Sequence, residues 1–142
     1  MPLTVEIVTV ERKLLEETGI DEVIAPGIEG QLAVLPRHAA FMTMLAPGEL
    51  ILKKGGEELP FAVTGGFFEV LNDRVVVLAD AAERAEEIDV ERAEAARQRA
   101  QVALERKESL EEQAAMVAAL ERAMVRLRIA ENRRRRTSQV RR

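Results

Sequence analysis

The sequence predicts an α+β protein in two parts, an N-terminal antiparallel β-sandwich followed by a C-terminal antiparallel two-helix hairpin. Three observations carry this. Short apolar, β-branched runs recur from Leu3 to Asp80 with glycine- and proline-containing separators. From Asp89 onward there is no Gly or Pro. Two helix-start signals, at Asp89 and Ser109, lie in that second stretch. The expected division is residues 1–84 for the sandwich, 85–131 for the hairpin and 132–142 for an arginine-rich tail. The tail is expected to be disordered, because termini carrying like charge seldom pack.

The first strand is "LTVEIVTV", where Leu3, Val5 and Ile7 oppose Thr4, Glu6 and Val8 at period two. Further strand runs are "DEVIAP", "GQLAVLP", "GELILKK", "ELPFAVTG", "GFFEVL" and "RVVVLAD". The stretch "ERKLLEETG", Glu11 to Gly19, reads as a loop. Turn formers separate the strands: "PGIEG", "APGE", "KKGGEE", "TGG" and "LNDR". Many short strands spaced by about eight to twelve residues argue for a sandwich or barrel. The pair Gly65 and Gly66 supplies either unusual backbone angles or close strand packing. Phe67 and Phe68 face opposite sides, one for the core and one for a partner; Met42 and Met44 are read as core in preference to a soft contact surface.

The second part is rich in Ala, Glu, Arg and Gln, strong helix formers. Asp89 is a good N-cap for a helix reaching about Arg106, with a narrow alanine seam at Ala93, Ala96, Ala100 and Ala103. Ser109 with Glu112 forms a capping box that starts a second helix. Its seam is Met116, Leu120, Ala123, Leu127 and Ala130. A connection of about three residues makes the pair an antiparallel hairpin, each helix roughly 25 to 30 Å long. Alanine seams bury little apolar area, so such a hairpin is only marginally stable alone and able to open.

Composition narrows the function. With no cysteine there are no disulfides, thiol nucleophiles or thiolate metal sites. The single histidine, His38, reads as a turn residue near a proline and not as a member of a triad or zinc site. No metal site is expected. Neither a secretion signal nor an apolar run near the roughly 20 residues needed to span a bilayer is visible, so the chain is expected to be soluble and cytoplasmic. The charge is uneven: residues 1–84 hold fourteen acidic and seven basic side chains, and residues 85–142 hold eleven and fourteen, giving −7 and +3 and the total of −4. An acidic front half and a basic back half suggest different partners.

Three segments resemble, in order and spacing, the epsilon subunit of bacterial rotary ATP synthase: "GQLAVLPRHAAFMTMLAPGEL" (Gly30 to Leu50), "GGFFEVLNDRVVVLAD" (Gly65 to Asp80) and "IDVERA" (Ile88 to Ala93). The resemblance covers nearly the whole chain. "ERKLLEETG" departs from it, being terse where the family often has a glycine-containing turn. The resemblance implies a non-catalytic central-stalk subunit on the cytoplasmic face of the cell membrane, peripheral and part of a proton-translocating complex. Its sandwich would bind the gamma subunit and the ring of c subunits and couple rotation to the catalytic head. Its hairpin would lie folded or extend toward acidic segments of the catalytic beta (and alpha) subunits and suppress hydrolysis. The basic residues for this are Arg122, Arg126, Arg128 and the run Arg133 to Arg136. The isolated chain would be a monomer.

Some family members bind ATP on the folded hairpin, and "IDVERA" fits their I/L-D-x-x-R-A pattern. The resemblance thus implies an ATP site of Glu83, Ile88, Asp89, Arg92, Ala93, Arg99, Arg122 and Arg126, with ATP a regulatory ligand and no cofactor required. Arg92 and Arg99 are two turns apart, and Arg122 and Arg126 one turn, so each pair shares a helix face. Late helix two lies beside early helix one in a hairpin, which lets the pairs converge on a polyphosphate. Asp89 and Glu83 would accept from ribose or the adenine amine, and Ile88 and Ala93 would offer an apolar surface to the purine. The alternative is a solvated face, with Arg92 paired to Asp89 and the neighbours of Glu91, Arg99 left to solvent, and Arg122 paired to Glu121 or to Glu112's side of the hairpin. There is no glycine-rich phosphate loop and no poised general base, so this would be a sensor and not an active site.

Two other classes remain. "RRRRTSQVRR" suggests nucleic-acid binding, but the body is acidic, aromatics are scarce and no recognition motif appears. A sandwich enzyme or carbohydrate binder would need carboxylates such as Glu69, Asp73 or Asp80, which sit at strand ends like ordinary turn acids.

Overall fold

The computed structural model describes residues 2–106 and 110–140, with side chains through residue 133. The chain divides into two units, Met1–Arg84 and Ala85–Arg142. The first is built of strands β1 (Leu3–Thr9), β2 (Lys13–Ile20), β3 (Glu22–Gly27), β4 (Gly30–Val34), β5 (Phe41–Leu45), β6 (Gly48–Lys54), β7 (Glu57–Val63), β8 (Gly66–Leu71), β9 (Arg74–Ala79) and β10 (Ala82–Arg84). The strands neighbour one another in the order β10-β7-β6-β3-β5-β8-β9-β1-β2, with β4 paired to β3, and form a nearly closed sandwich. Pairing is antiparallel except between β1 and β9, which run parallel, Val5 opposite Val75 and Ile7 opposite Val77.

Alternation fixes the core. Leu3, Val5 and Ile7 are fully buried and join Val23, Leu50, Leu52, Phe61, Phe68, Val75 and Val77 in one apolar cluster. Phe68 points inward while Phe67 is 50% exposed. Met42 and Met44 depart from the core role expected of them, at 64% and 49% exposed. The register explains this: Met44 lies opposite Phe67 and Met42 opposite Glu69 on the outer face, whereas Thr43 opposes the buried Phe68. At Gly66, φ is +126° and a Cβ would fall 2.0 Å from the carbonyl oxygen of Leu78, so this glycine serves both unusual backbone angles and close packing.

Three strands were not separated out by the sequence reading. β2 replaces the expected loop at Glu11–Gly19. Its inward residues Leu15 and Ile20 are five apart, which a regular strand would put on opposite faces. The register shifts between the Leu3↔Ile20 and Val5↔Glu17 pairs, near Gly19 at φ +74°, bring both inward. β5 lies next to turn residues and lacks polar alternation, and β10 has only three residues. The "LNDR" turn is a two-residue hairpin with Asn72 and Asp73 at φ 50° and 61°, and the Asp73 carboxylate accepts from the Arg37 N–H at 2.6 Å. His38 follows the Pro36–Arg37 turn, its N–H donating to Leu35 O at 3.2 Å, as expected of a turn histidine.

The second unit opens with a 3₁₀ turn (Ala85–Glu87), followed by helices α1 (Val90–Glu105) and α2 (Leu110–Val140), which pack on each other. The alanine seam of α1 is as expected, with Ala93 and Ala100 buried and Ala96 and Ala103 half-buried. On α2, Ala123 and Ala130 are buried and Met116, Leu120 and Leu127 half-buried. Ile129, off that seam, is fully buried. The capping residue Ser109 lies outside the described residues. α2 is longer than expected: 31 residues, or roughly 46 Å at 1.5 Å per residue. Its backbone is helical through Val140, where a disordered tail from 132 was expected. No Gly or Pro interrupts that stretch, so helix propensity carries it on.

Candidate functional site

Seven of the eight residues singled out by the sequence belong to the helical unit, and Glu83 belongs to β10 of the sandwich. Asp89 caps α1 with extended backbone (φ −86°, ψ 103°), and its Oδ1 accepts from the Arg92 N–H at 3.1 Å. One carboxylate oxygen is thereby committed to the helix end, and one of the first-turn N–H groups that an anion would otherwise use is satisfied. The Arg92 side chain is left to project outward.

Arg92, Arg99 and Arg122 are exposed and Arg126 is half-buried. Among the described residues the guanidinium groups of Arg92, Arg99 and Arg122 make no hydrogen bond or ion pair, while Arg126 has a partner. Asp89 accepts from the Arg92 backbone N–H and not from its guanidinium, while Arg99 is exposed as the solvated-face reading has it. Counting outward from the connection between the helices, Arg92 lies level with about Met124, between Arg122 and Arg126. Arg99 lies two turns, roughly 10 Å, nearer the connection. It lines an open depression of ≈ 520 Å³ on α1 together with Gln98 and Arg106, over an apolar floor of Ala95, Val102 and Ala103.

Ile88 and Ala93, read as a surface for a purine, are buried instead, and the Ile88 N–H donates to Ala85 O at 3.3 Å. Glu83 is half-buried, in register with Ala62 of β7, and has a partner. The sequence reading passed over Arg97, which ion-pairs with Glu94 and whose buried Nε has no hydrogen-bond partner among the described residues. The i,i+3 spacing of Glu94 and Arg97 was a visible signal of that pair. Among the described residues no group of three or more His, Cys, Asp or Glu side chains is placed to hold a metal ion.

Both units match family models. Residues 2–85 match the beta-sandwich domain of the ATP synthase delta/epsilon chain, and residues 86–131 match the long alpha-helix domain of the same chain. The chain belongs to the ATP synthase delta/epsilon-chain family. Among its relatives, the ATP synthase epsilon chain of Herpetosiphon aurantiacus is 51% identical over 136 residues, covering 96% of this chain and 99% of that one. The epsilon chain of Dehalococcoides mccartyi is 54% identical over 133 residues, 93% of this chain and 94% of that one. A chain in the Euglena gracilis mitochondrial ATP synthase structure (OSCP/F1/c-ring) has a TM-score of 0.77 at 24% identity, over 87% of this chain and 78% of that chain. One from the central stalk and c-ring of the Tetrahymena thermophila enzyme has a TM-score of 0.65 at 15% identity, over 92% and 97%. These two structural likenesses bear on fold alone. As a family member the chain is a non-catalytic subunit. No helix among the described residues of this epsilon-family chain is long and apolar enough to cross a membrane.

Proposed function

We propose that this epsilon-family chain is a central-stalk subunit of a membrane-bound, proton-translocating ATP synthase, peripheral on the cytoplasmic face of the membrane and a monomer when isolated. Its sandwich binds the gamma subunit and the c-ring and couples ring rotation to the catalytic head. The outer-face row of Met44, Phe67 and Leu78, each about half exposed, supports a docking role for that side of the sandwich. The hairpin binds ATP when folded and, when extended toward the catalytic beta (and alpha) subunits, inhibits hydrolysis.

The observation that carries the ATP reading is the set of exposed guanidinium groups without partners among the described residues: Arg92 in the first turn of α1, Arg99 two turns further along it, and Arg122 on α2 with Arg126 on the same helix face. Arginine's planar fork suits phosphate, and each charge-assisted bond contributes about 1.5 to 3 kcal/mol. ATP that binds the folded hairpin better than the extended one shifts the population toward the folded, non-inhibiting form. ATP is then a regulatory ligand and no cofactor is required.

Calorimetric titration of the isolated chain with ATP tests this. Saturable binding is expected, lost in Arg92→Ala and in Arg126→Ala. A flat titration to millimolar ATP would return these arginines to a solvated face and leave the stalk reading standing. If ATP left the distance between labels on the sandwich and on α2 unchanged, the sensor idea would fail even where binding is seen.

A further inference from the structure

We infer that Glu69 determines specificity on the outer face of the sandwich, and that the partner seated there is a largely apolar surface carrying one basic side chain that pairs with this carboxylate. The inference deepens the docking reading of that face and rests on it. Glu69 stands inside β8, not at a strand end as the sequence suggested, and it is half-buried. Its chain neighbours Phe68 and Val70 belong to the core, so strand alternation turns Glu69 outward together with Phe67 and Leu71. Met42 of β5 lies opposite it on one side and Val76 of β9 on the other, while Met44 and Leu78 both oppose Phe67. Met42, Met44, Phe67, Leu71 and Leu78 are each about half exposed or more, which sets the carboxylate in an open apolar surround. Exposed apolar patches of this kind mark interaction sites.

The state of the charge says what kind of partner fits. Among the described residues Glu69 makes no hydrogen bond or ion pair. A cation is near: Arg74 lies on the same face of β9, two residues from Val76. Its guanidinium instead bonds Glu6 of β1 at 2.6 Å and Glu16 of β2 at 3.3 Å, and Lys13 is held by the same two carboxylates. These basic groups turn toward β1 and β2 and leave Glu69 to solvent. A partner that covers the apolar side chains also strips water from Glu69. A buried carboxylate left unpaired is costly, so a wholly apolar partner fits poorly and an acidic one worse. An arginine or lysine placed opposite Glu69 removes that cost, and the match selects its bearer from other apolar surfaces. A second copy of this chain seated on the same face by two-fold symmetry would set carboxylate against carboxylate and does not fit.

The test is binding of the full chain to two separate probes: the catalytic head with its gamma subunit, stripped of this chain, and the detergent-solubilised c-ring. The forms compared are wild type, Glu69→Gln, Glu69→Lys, Phe67→Ala and a control, Glu57→Gln, whose exposed carboxylate lies at the start of β7. Glu69→Gln is expected to weaken binding to one probe roughly thirtyfold or more, and Glu69→Lys to weaken it further. Its urea midpoint should stay at the wild-type value, because the carboxylate bonds nothing within the fold. Phe67→Ala should weaken binding to the same probe roughly tenfold, and Glu57→Gln should bind as wild type does. If Phe67→Ala loses binding while Glu69→Gln binds as tightly as wild type, the partner carries no matching cation; the inference falls and the docking reading survives. The same follows if Glu57→Gln loses as much as Glu69→Gln, which reduces the effect to overall charge, or if Glu69→Gln lowers the urea midpoint, which assigns the carboxylate to the fold. Undiminished binding of both probes by Phe67→Ala overturns the docking face and the inference together, as does failure of the wild type to bind either probe.

Discussion

The sandwich and the hairpin solve the burial problem with different side chains. The sandwich core is Phe61, Phe68, Leu3, Ile7, Leu50, Leu52 and their β-branched neighbours, all at or near complete burial. The hairpin buries mainly alanines, Ala93, Ala100, Ala123 and Ala130, with Ile88 and Ile129 as its large buried residues. Because stabilisation follows apolar area removed from water, the first unit gains more from its buried side chains than the second gains from its alanines. Charges divide the same way. On the sandwich Arg74 bonds Glu6 at 2.6 Å and Glu16 at 3.3 Å, while Lys13 reaches Glu16 at 2.5 Å and Glu6 at 3.4 Å. On the hairpin Arg92, Arg99 and Arg122 stand without such partners among the described residues. The helical unit also pairs Arg97 with Glu94 and gives Arg126 a partner, so the contrast lies in Arg92, Arg99 and Arg122.

The strongest way to break the comparison is a cavity in each unit. Phe68→Ala removes a fully buried ring from the sandwich and should cost about 3 to 5 kcal/mol, read as a fall in the urea midpoint of the main transition. Ile129→Ala should cost less, roughly 2 to 4 kcal/mol, and should act on the hairpin: helical circular dichroism should melt earlier while the sandwich transition keeps its midpoint. If Ile129→Ala lowers both transitions equally, the two regions fold as one cooperative body and the contrast drawn above is wrong.

The same contrast explains what could be read from sequence. Period-two runs such as Leu3–Thr9 and the alanine spacing of α1 report large, repeated burial, and both were legible. Segments that depend on a local irregularity were not. β2 reaches the core only through its shift near Gly19, and the seam of α2 omitted Ile129 because that residue packs off the three-four spacing. Met42 and Met44 misled for another reason: an apolar side chain on a strand says nothing about which face it takes until the register to Phe67 and Glu69 is known. In the candidate site the residue types and the Asp89 cap were legible, but the burial of Ile88 and Ala93 and the ion pair of Arg97 depend on packing between elements.

The smallest expected effect concerns the charges on the sandwich. Hydrogen bonds from Lys13 and then Arg74 hold the Glu16 carboxyl below its ordinary value, and the bond to Glu16 raises Lys13 despite some desolvation. For Glu16 the sign follows from linkage: a folded-state value below the unfolded one means the charged carboxylate stabilises the fold above about pH 4.5, and that contribution is lost as pH falls through the lowered folded value. Lys13 behaves oppositely, its contribution being present below its ordinary value and lost as pH rises through the raised one. Glu16→Gln should therefore lower the sandwich's urea midpoint slightly at pH 7 and leave a shallower decline than wild type between about pH 5 and pH 3. Added salt should shrink the difference, since these groups are exposed and screened. An unchanged acid limb in Glu16→Gln would mean that the network does not hold the edge strand β2 against β1 and β9, and that the bulged pairing and the burial of Leu15 and Ile20 do so alone.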